Sequence, residues 1–162
     1  MSDRTRTYTW EDPLATLALA RGMSGLEALQ ALAHGQLPAA PIAQTLGFGG
    51  FEVEHGRATF TVEPAEFHYN PIGVVHGGLA LTLLDSAMGC AVHSTLAAGV
   101  AYTTLEVNAN FVRPLTADTG LVRCVGTVVH AGRTVATAEG RVVDEAGKLY
   151  AHGTSTLLIV GG

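Results

Sequence analysis

Asp85 sits in a stretch, Gly77 to Val92, whose other residues are apolar or small, and that stretch follows closely on Asn70, Pro71 and His76. Taking a carboxylate out of water costs several kcal/mol unless a partner compensates it. This acid is therefore either paired or used. If a helix begins at Gly77, the backbone N–H groups of Gly77, Gly78 and Leu79 stand free at the positive end of its dipole. Two successive glycines also leave an approaching carbonyl unobstructed. Donors fixed in this way stabilise, by several kcal/mol, the charge that develops on oxygen during acyl transfer. Asn70 and His76, just ahead of the glycines, add side-chain hydrogen bonds.

Asp85 is eight residues beyond Gly77, about 12 Å along a helix axis. That is too far for both to meet one substrate atom within a single chain. Two such helices meeting antiparallel bring Asp85 of one copy to the Gly77 end of the other. The spacing thus points to a dimer with the site astride its interface.

The elements that must position these residues follow from the pattern. Residues 24 to 35 predict a short helix, capped by Ser24, with Leu26, Leu29 and Leu32 at helical spacing and Gly35 at its end. A leader, residues 1 to 23, precedes it, and Pro38 and Pro41 break the chain after it. Phe48 to Glu63 reads as two alternating runs split by His55-Gly56, a hairpin. Gly77 to about Leu96 predicts one long helix, apolar nearly all round and so buried. Four strand-like runs follow, at about 101–113, 119–130, 134–144 and 149–160. The expected architecture is α+β: a curved antiparallel sheet of five or six strands covered by one long helix, with small helix residues permitting close approach. Such a sheet leaves an edge strand uncovered, which again favours a dimer.

At 162 residues and 48% hydrophobic content the chain fits one domain. We divide it into a leader and helix, 1–45, and a main body, 46–162. A net charge of -5 with nine Lys and Arg leaves no basic stripe for nucleic acid. No apolar run approaches bilayer length and no apolar segment follows the first charged residues, so a soluble, unexported protein is expected, with no membrane partner. Cys90 and Cys124 lack C-x-x-C spacing and fit buried thiols of a reducing compartment, the cytoplasm. Seven histidines show neither H-E-x-x-H nor a Cys-His pairing, so neither a metal nor another cofactor is expected. Ser86 beside Asp85 does not make a nucleophile: there is no G-x-S-x-G elbow, and adjacent helix residues do not face each other.

The run Asn70-Pro-Ile-Gly-Val-Val-His76-Gly77-Gly78 followed by Asp85 resembles the acyl-CoA thioesterases of the hotdog fold, in their PaaI-like, phenylacetate-degradation branch. The likeness covers about residues 45 to 160, and Gly132-Arg133 and Gly147 to Thr154 resemble that family's last strands. It implies a sheet wrapped around the central helix, with the leader as an N-terminal helical extension. It also implies that the Gly77 N–H polarises a thioester carbonyl while Asp85 of the partner chain acts as general base or nucleophile. Asn70 and His76 would orient the substrate and the loop, and Thr103 or Thr104 would position the attacking water. Gly78 borders the same terminus. Arg113, Arg133 and Lys148 could meet the phosphates of coenzyme A, Arg133 best because its turn with Gly132 leaves N–H groups free. The resemblance implies a homotetramer of two dimers. Some relatives carry Glu at the Asp85 position and Thr one turn later, where this chain has Gly89.

Two other functions fit part of the pattern. A hotdog hydratase or dehydratase pairs a histidine with an acid for proton transfer α and β to the thioester, but His76 adjoining the helix cap suits this less well. A non-catalytic acyl-CoA-binding module would use the same pocket without hydrolysis. Retention of the acid and the lack of a DNA-binding helix pair argue against a transcriptional sensor.

Overall fold

The computed structural model describes residues 3–161. Three short helices come first: α1 (Pro13–Leu19), α2 (Gly25–Ala33) and α3 (Pro41–Leu46). The hairpin β1 (Phe48–Glu54) and β2 (Arg57–Val62) follows, then the long helix α4 (Gly77–His93). Four strands complete the chain: β3 (Ala101–Phe111), β4 (Val122–Ala131), β5 (Val135–Asp144) and β6 (Leu149–Val160); only β4, β5 and β6 form the sequential meander that their order in the chain suggests, because β3 pairs with β6 and not with β4. The strands form one antiparallel six-stranded sheet in the order β1-β2-β4-β5-β6-β3. The α+β expectation, with one long helix on a curved sheet, is met, and β1 and β3 are the edges.

Helix α4 buries Leu83, Leu84, Ala87, Met88, Ala91 and Val92 against the sheet. The close approach rests on the strands as much as on the helix. A Cβ added at Gly126 of β4 would lie 2.4 Å from the Ala87 carbonyl, and one at Gly140 of β5 would lie 2.9 Å from Leu84 Cδ2. Close packing of this kind gives the buried apolar area its full effect.

The structure corrects three local expectations. The helix is not apolar all round: Thr82, Asp85, Ser86, Cys90 and His93 are only partly buried, and Asp85, Ser86 and Cys90, at helical spacing, line a cavity. It ends at His93 rather than near Leu96. Ser94 and Thr95 turn their hydroxyls back onto the carbonyls of Ala91 and Val92, both at 2.7 Å, and Ser94 Oγ also accepts the Gly56 N–H. Pro41 starts a helix instead of breaking the chain. It occupies the first turn of α3, where its missing N–H costs nothing, and Gly47 closes that helix in the left-handed region at φ 67°.

Helix α2 has the predicted start. Ser24 and Glu27 form a reciprocal capping box, and Gly35, at φ 70°, lies just beyond the helix end. The leader contains α1, capped by Asp12 on the Leu14 N–H at 2.9 Å.

Candidate active site

The N-terminus of α4 is built by the loop before it. Asn70 Oδ1 accepts from the N–H groups of Ile72 (3.0 Å) and Val74 (3.4 Å), and the Asn70 N–H donates to the Val74 carbonyl at 2.8 Å. The Asn70 side chain is thus engaged in shaping the loop. His76 caps the helix: Nδ1 accepts the Gly78 N–H at 2.8 Å, and its carbonyl accepts the Leu79 N–H at 3.0 Å. Of the three amides expected to stand free, Gly78 and Leu79 are therefore occupied. The Gly77 N–H alone lacks an acceptor among the described residues. Because Nδ1 accepts, neutral His76 carries its proton on Nε2, an exposed donor beside Gly77. The Gly77 end opens into a cavity of about 330 Å³, lined also by Phe111, Arg113 and Tyr150.

This loop is tied to the N-terminal helices by His68, which is buried. Its Nδ1 accepts the Ala65 N–H at 3.0 Å, so Nε2 donates to the Leu46 carbonyl at 2.8 Å. The His68 carbonyl accepts the His76 N–H at 2.8 Å. Burial holds the His68 pKa below its usual value, the Arg6 guanidinium adding to the effect against the opposing bond to Leu46.

Asp85 opens into a different cavity, of about 390 Å³, which shares no lining residue with the first. Its Oδ1 accepts the Thr104 hydroxyl at 3.0 Å. The strand alternation of β3 turns the two threonines to opposite sides: Thr104 faces α4, while Thr103 is exposed on the other side. Cys90 and Tyr102 line the same cavity, and Leu32, Ile42, Phe48 and Phe51 give it an apolar wall. Helices α2 and α3 of the N-terminal extension supply part of this wall. A cavity of this size, apolar with a few polar groups at one end, suits a small acyl group.

The remaining candidates are spread out. Arg113 borders the Gly77 cavity, but its guanidinium donates to the Leu149 carbonyl. Gly132 and Arg133 line neither of these two cavities. The Gly132 N–H, expected free, donates to the Val135 carbonyl at 3.0 Å, because the β4–β5 turn closes on itself. Tyr102 was not among the sequence candidates, although its place two residues before Thr104 put it on the same strand face. Among the described residues no group of three or more His, Cys, Asp and Glu could hold a metal. No helix there is long and apolar enough to cross a membrane.

Comparisons with known proteins bear on the family and the fold. Residues 72–151 match the Thioesterase superfamily. The 1,4-dihydroxy-2-naphthoyl-CoA hydrolase of Listeria monocytogenes is 27% identical over 118 residues, covering 73% of this chain and 94% of that one. A conserved protein of Pseudomonas aeruginosa is 33% identical with a TM-score of 0.70, over 75% of this chain and 95% of its own. A phenylacetic acid degradation-related protein of Ralstonia eutropha JMP134 is 29% identical with a TM-score of 0.71, over 80% and 98%.

Proposed function

Since the chain belongs to the hotdog-fold Thioesterase superfamily, in its PaaI-like branch, and is a thioester hydrolase, we propose that it cleaves acyl-CoA to the free acid and coenzyme A. The observation that carries the reading is the division of the machinery. One free amide, at Gly77, and one cavity-facing carboxylate, at Asp85, lie in separate clefts of the same helix. Each cleft holds half of what acyl transfer needs.

In this mechanism Asp85 is the general base. Thr104 holds Oδ1, and the carboxylate takes a proton from a water that attacks the thioester carbon. The carbonyl oxygen gathers negative charge as the new C–O bond forms, and the Gly77 N–H of the partner subunit stabilises it. Nε2–H of His76 is a second donor on the same side. Collapse breaks the C–S bond, and the departing thiolate recovers the proton from Asp85. Direct attack by Asp85 on the carbonyl would expel the thiolate and leave an acyl-aspartyl anhydride, which water would hydrolyse to the same products.

The dimer is part of the proposal. Edge strand β3 is 11 residues long, with exposed Leu105 and Phe111 at 59% and 54% accessibility, a surface suited to a second copy. A homotetramer of two such dimers extends the same reading. The thiols of half-buried Cys90 and buried Cys124 are unpaired, which suits a reducing compartment such as the cytoplasm. The test is release of free thiol from acyl-CoAs by the protein and by Asp85→Asn. The proposal requires the first and loss of the second. A hydratase would instead change the enone absorbance of a 3-hydroxyacyl-CoA, and a binding module would hold acyl-CoA intact.

A further inference from the structure

The cavity beside Asp85 contains a phenol hydroxyl that the proposed chemistry does not use. Tyr102 lines it together with Asp85 and Cys90, its ring 5.4 Å from that of His93. A Cβ at position 89 would come within 2.9 Å of Tyr102 Oη and 3.1 Å of Cε2. The phenol therefore occupies space that is open only because residue 89 is glycine. The hydroxyl of Tyr69 accepts from the Ala117 N–H and that of Tyr150 donates to Asp144, whereas Tyr102 Oη has no protein partner among the described residues. Burial, reinforced by nearby Cys90 and Asp85, raises the phenol far above its usual pKa, so it stays a hydrogen-bond donor.

Position is fixed by the helix. Asp85 and Gly89 are four residues apart on one face, about 6 Å along the axis. The Tyr102 hydroxyl, set over Gly89, thus lies roughly one turn deeper along α4 than the carboxylate. Leu32, Ile42, Phe48 and Phe51, which also line the cavity, offer no side-chain donor, and Ser86, the other hydroxyl on α4 there, is the neighbour of Asp85 rather than of Gly89. An acyl group without a polar atom there leaves the hydroxyl desolvated and unpaired.

We infer that Tyr102 is a specificity residue whose hydroxyl donates to an oxygen carried by the acyl group, one helical turn beyond the scissile carbonyl. The enzyme then selects acyl-CoAs bearing a hydroxyl or keto group at that depth over their unsubstituted counterparts. This rests on the thioesterase reading for the identity of the ligand.

Two substrate pairs test it: hexanoyl-CoA with 5-hydroxyhexanoyl-CoA, and benzoyl-CoA with 4-hydroxybenzoyl-CoA. Dissociation constants are measured by calorimetry in the Asp85→Asn background, with and without Tyr102→Phe, and kcat/KM is measured in the otherwise native protein. The expected result is a preference of about tenfold for the hydroxylated member of at least one pair, as for one added hydrogen bond. Tyr102→Phe removes that preference while leaving the unsubstituted member within about twofold. Gly89→Ala, which pushes the hydroxyl aside, moves the preference in the same direction. Equal affinity within both pairs, or an equal loss for both members on Tyr102→Phe, overturns the inference. The latter result would assign Tyr102 to the attacking water or to folding. Failure of the thioesterase reading shows separately, as binding without turnover.

Discussion

Thr104 donates its hydroxyl hydrogen to Asp85 Oδ1 at 3.0 Å, linking the second inward-facing position of β3 to the middle of α4. Thr104→Val keeps the shape and removes the donor. We expect kcat to fall about tenfold, the value of one hydrogen bond to a charged group, with KM little changed. Thr103→Val, on the exposed side of the strand, is expected to leave both within about twofold, because no bond is lost. Steady-state thiol release from one acyl-CoA compares the two variants.

Gly126→Ala probes the helix–sheet contact. The new methyl would meet the Ala87 carbonyl at 2.4 Å, a backbone group that cannot rotate away. Stability should fall by about 2 kcal/mol or more, the cost of overpacking a tight core, measured by urea denaturation. Gly147→Ala meets no atom within 4 Å but sits at φ 80°, so its expected cost, about 1 kcal/mol, is backbone strain alone.

His68 predicts a pH dependence of stability. Its folded pKa lies below the usual 6.5 because burial opposes the charged form. The neutral ring's contribution is complete above pH 6.5 and is lost as pH falls through the depressed folded value, where the unfolded chain binds the extra proton. Protonation also removes the Nδ1 acceptor for Ala65. Thermal melts should show a steeper loss on acidification for the native protein than for His68→Gln, which keeps a donor toward Leu46. Parallel curves would contradict this.

Cys90 borders the proposed acyl pocket, yet burial, with Asp85 adding to it, pushes its thiol up to about 12. Alkylation by iodoacetamide at pH 8 should therefore be negligible in the native protein and rapid in urea, because only the thiolate reacts. Bound acyl-CoA should change neither result.

Much of this was legible in the sequence because single patterns decided it. The run from Gly77 fixed the start of α4, strand alternation placed the last four strands though not the pairing of β3 with β6, and Ser24 marked the start of α2. Asp85 stood out by charge alone. What was not legible depends on contacts between distant segments. That His76 and not the substrate occupies the Gly78 amide is a matter of side-chain rotamer. That Gly132 closes its own turn depends on where Val135 lies. Proline at 41 reads equally as a break or a first helical turn until the chain after it is placed. Tyr102 gained meaning only once β3 crossed α4 at Gly89.

The account rests on Asp85 of one subunit serving the Gly77 amide of another, and a complementation experiment tests this most directly. Asp85→Asn removes the base. Gly77→Pro removes the one free amide at a position where proline suits the first helical turn, and His76, at φ -62° and ψ 132°, already has the conformation a following proline requires. Each variant alone should show activity reduced by about 10³-fold. Coexpressed, half of the dimers are mixed, and each of those holds one intact site, so thiol release should return to about a quarter of the native value. No recovery in dimers shown to be mixed would contradict the account.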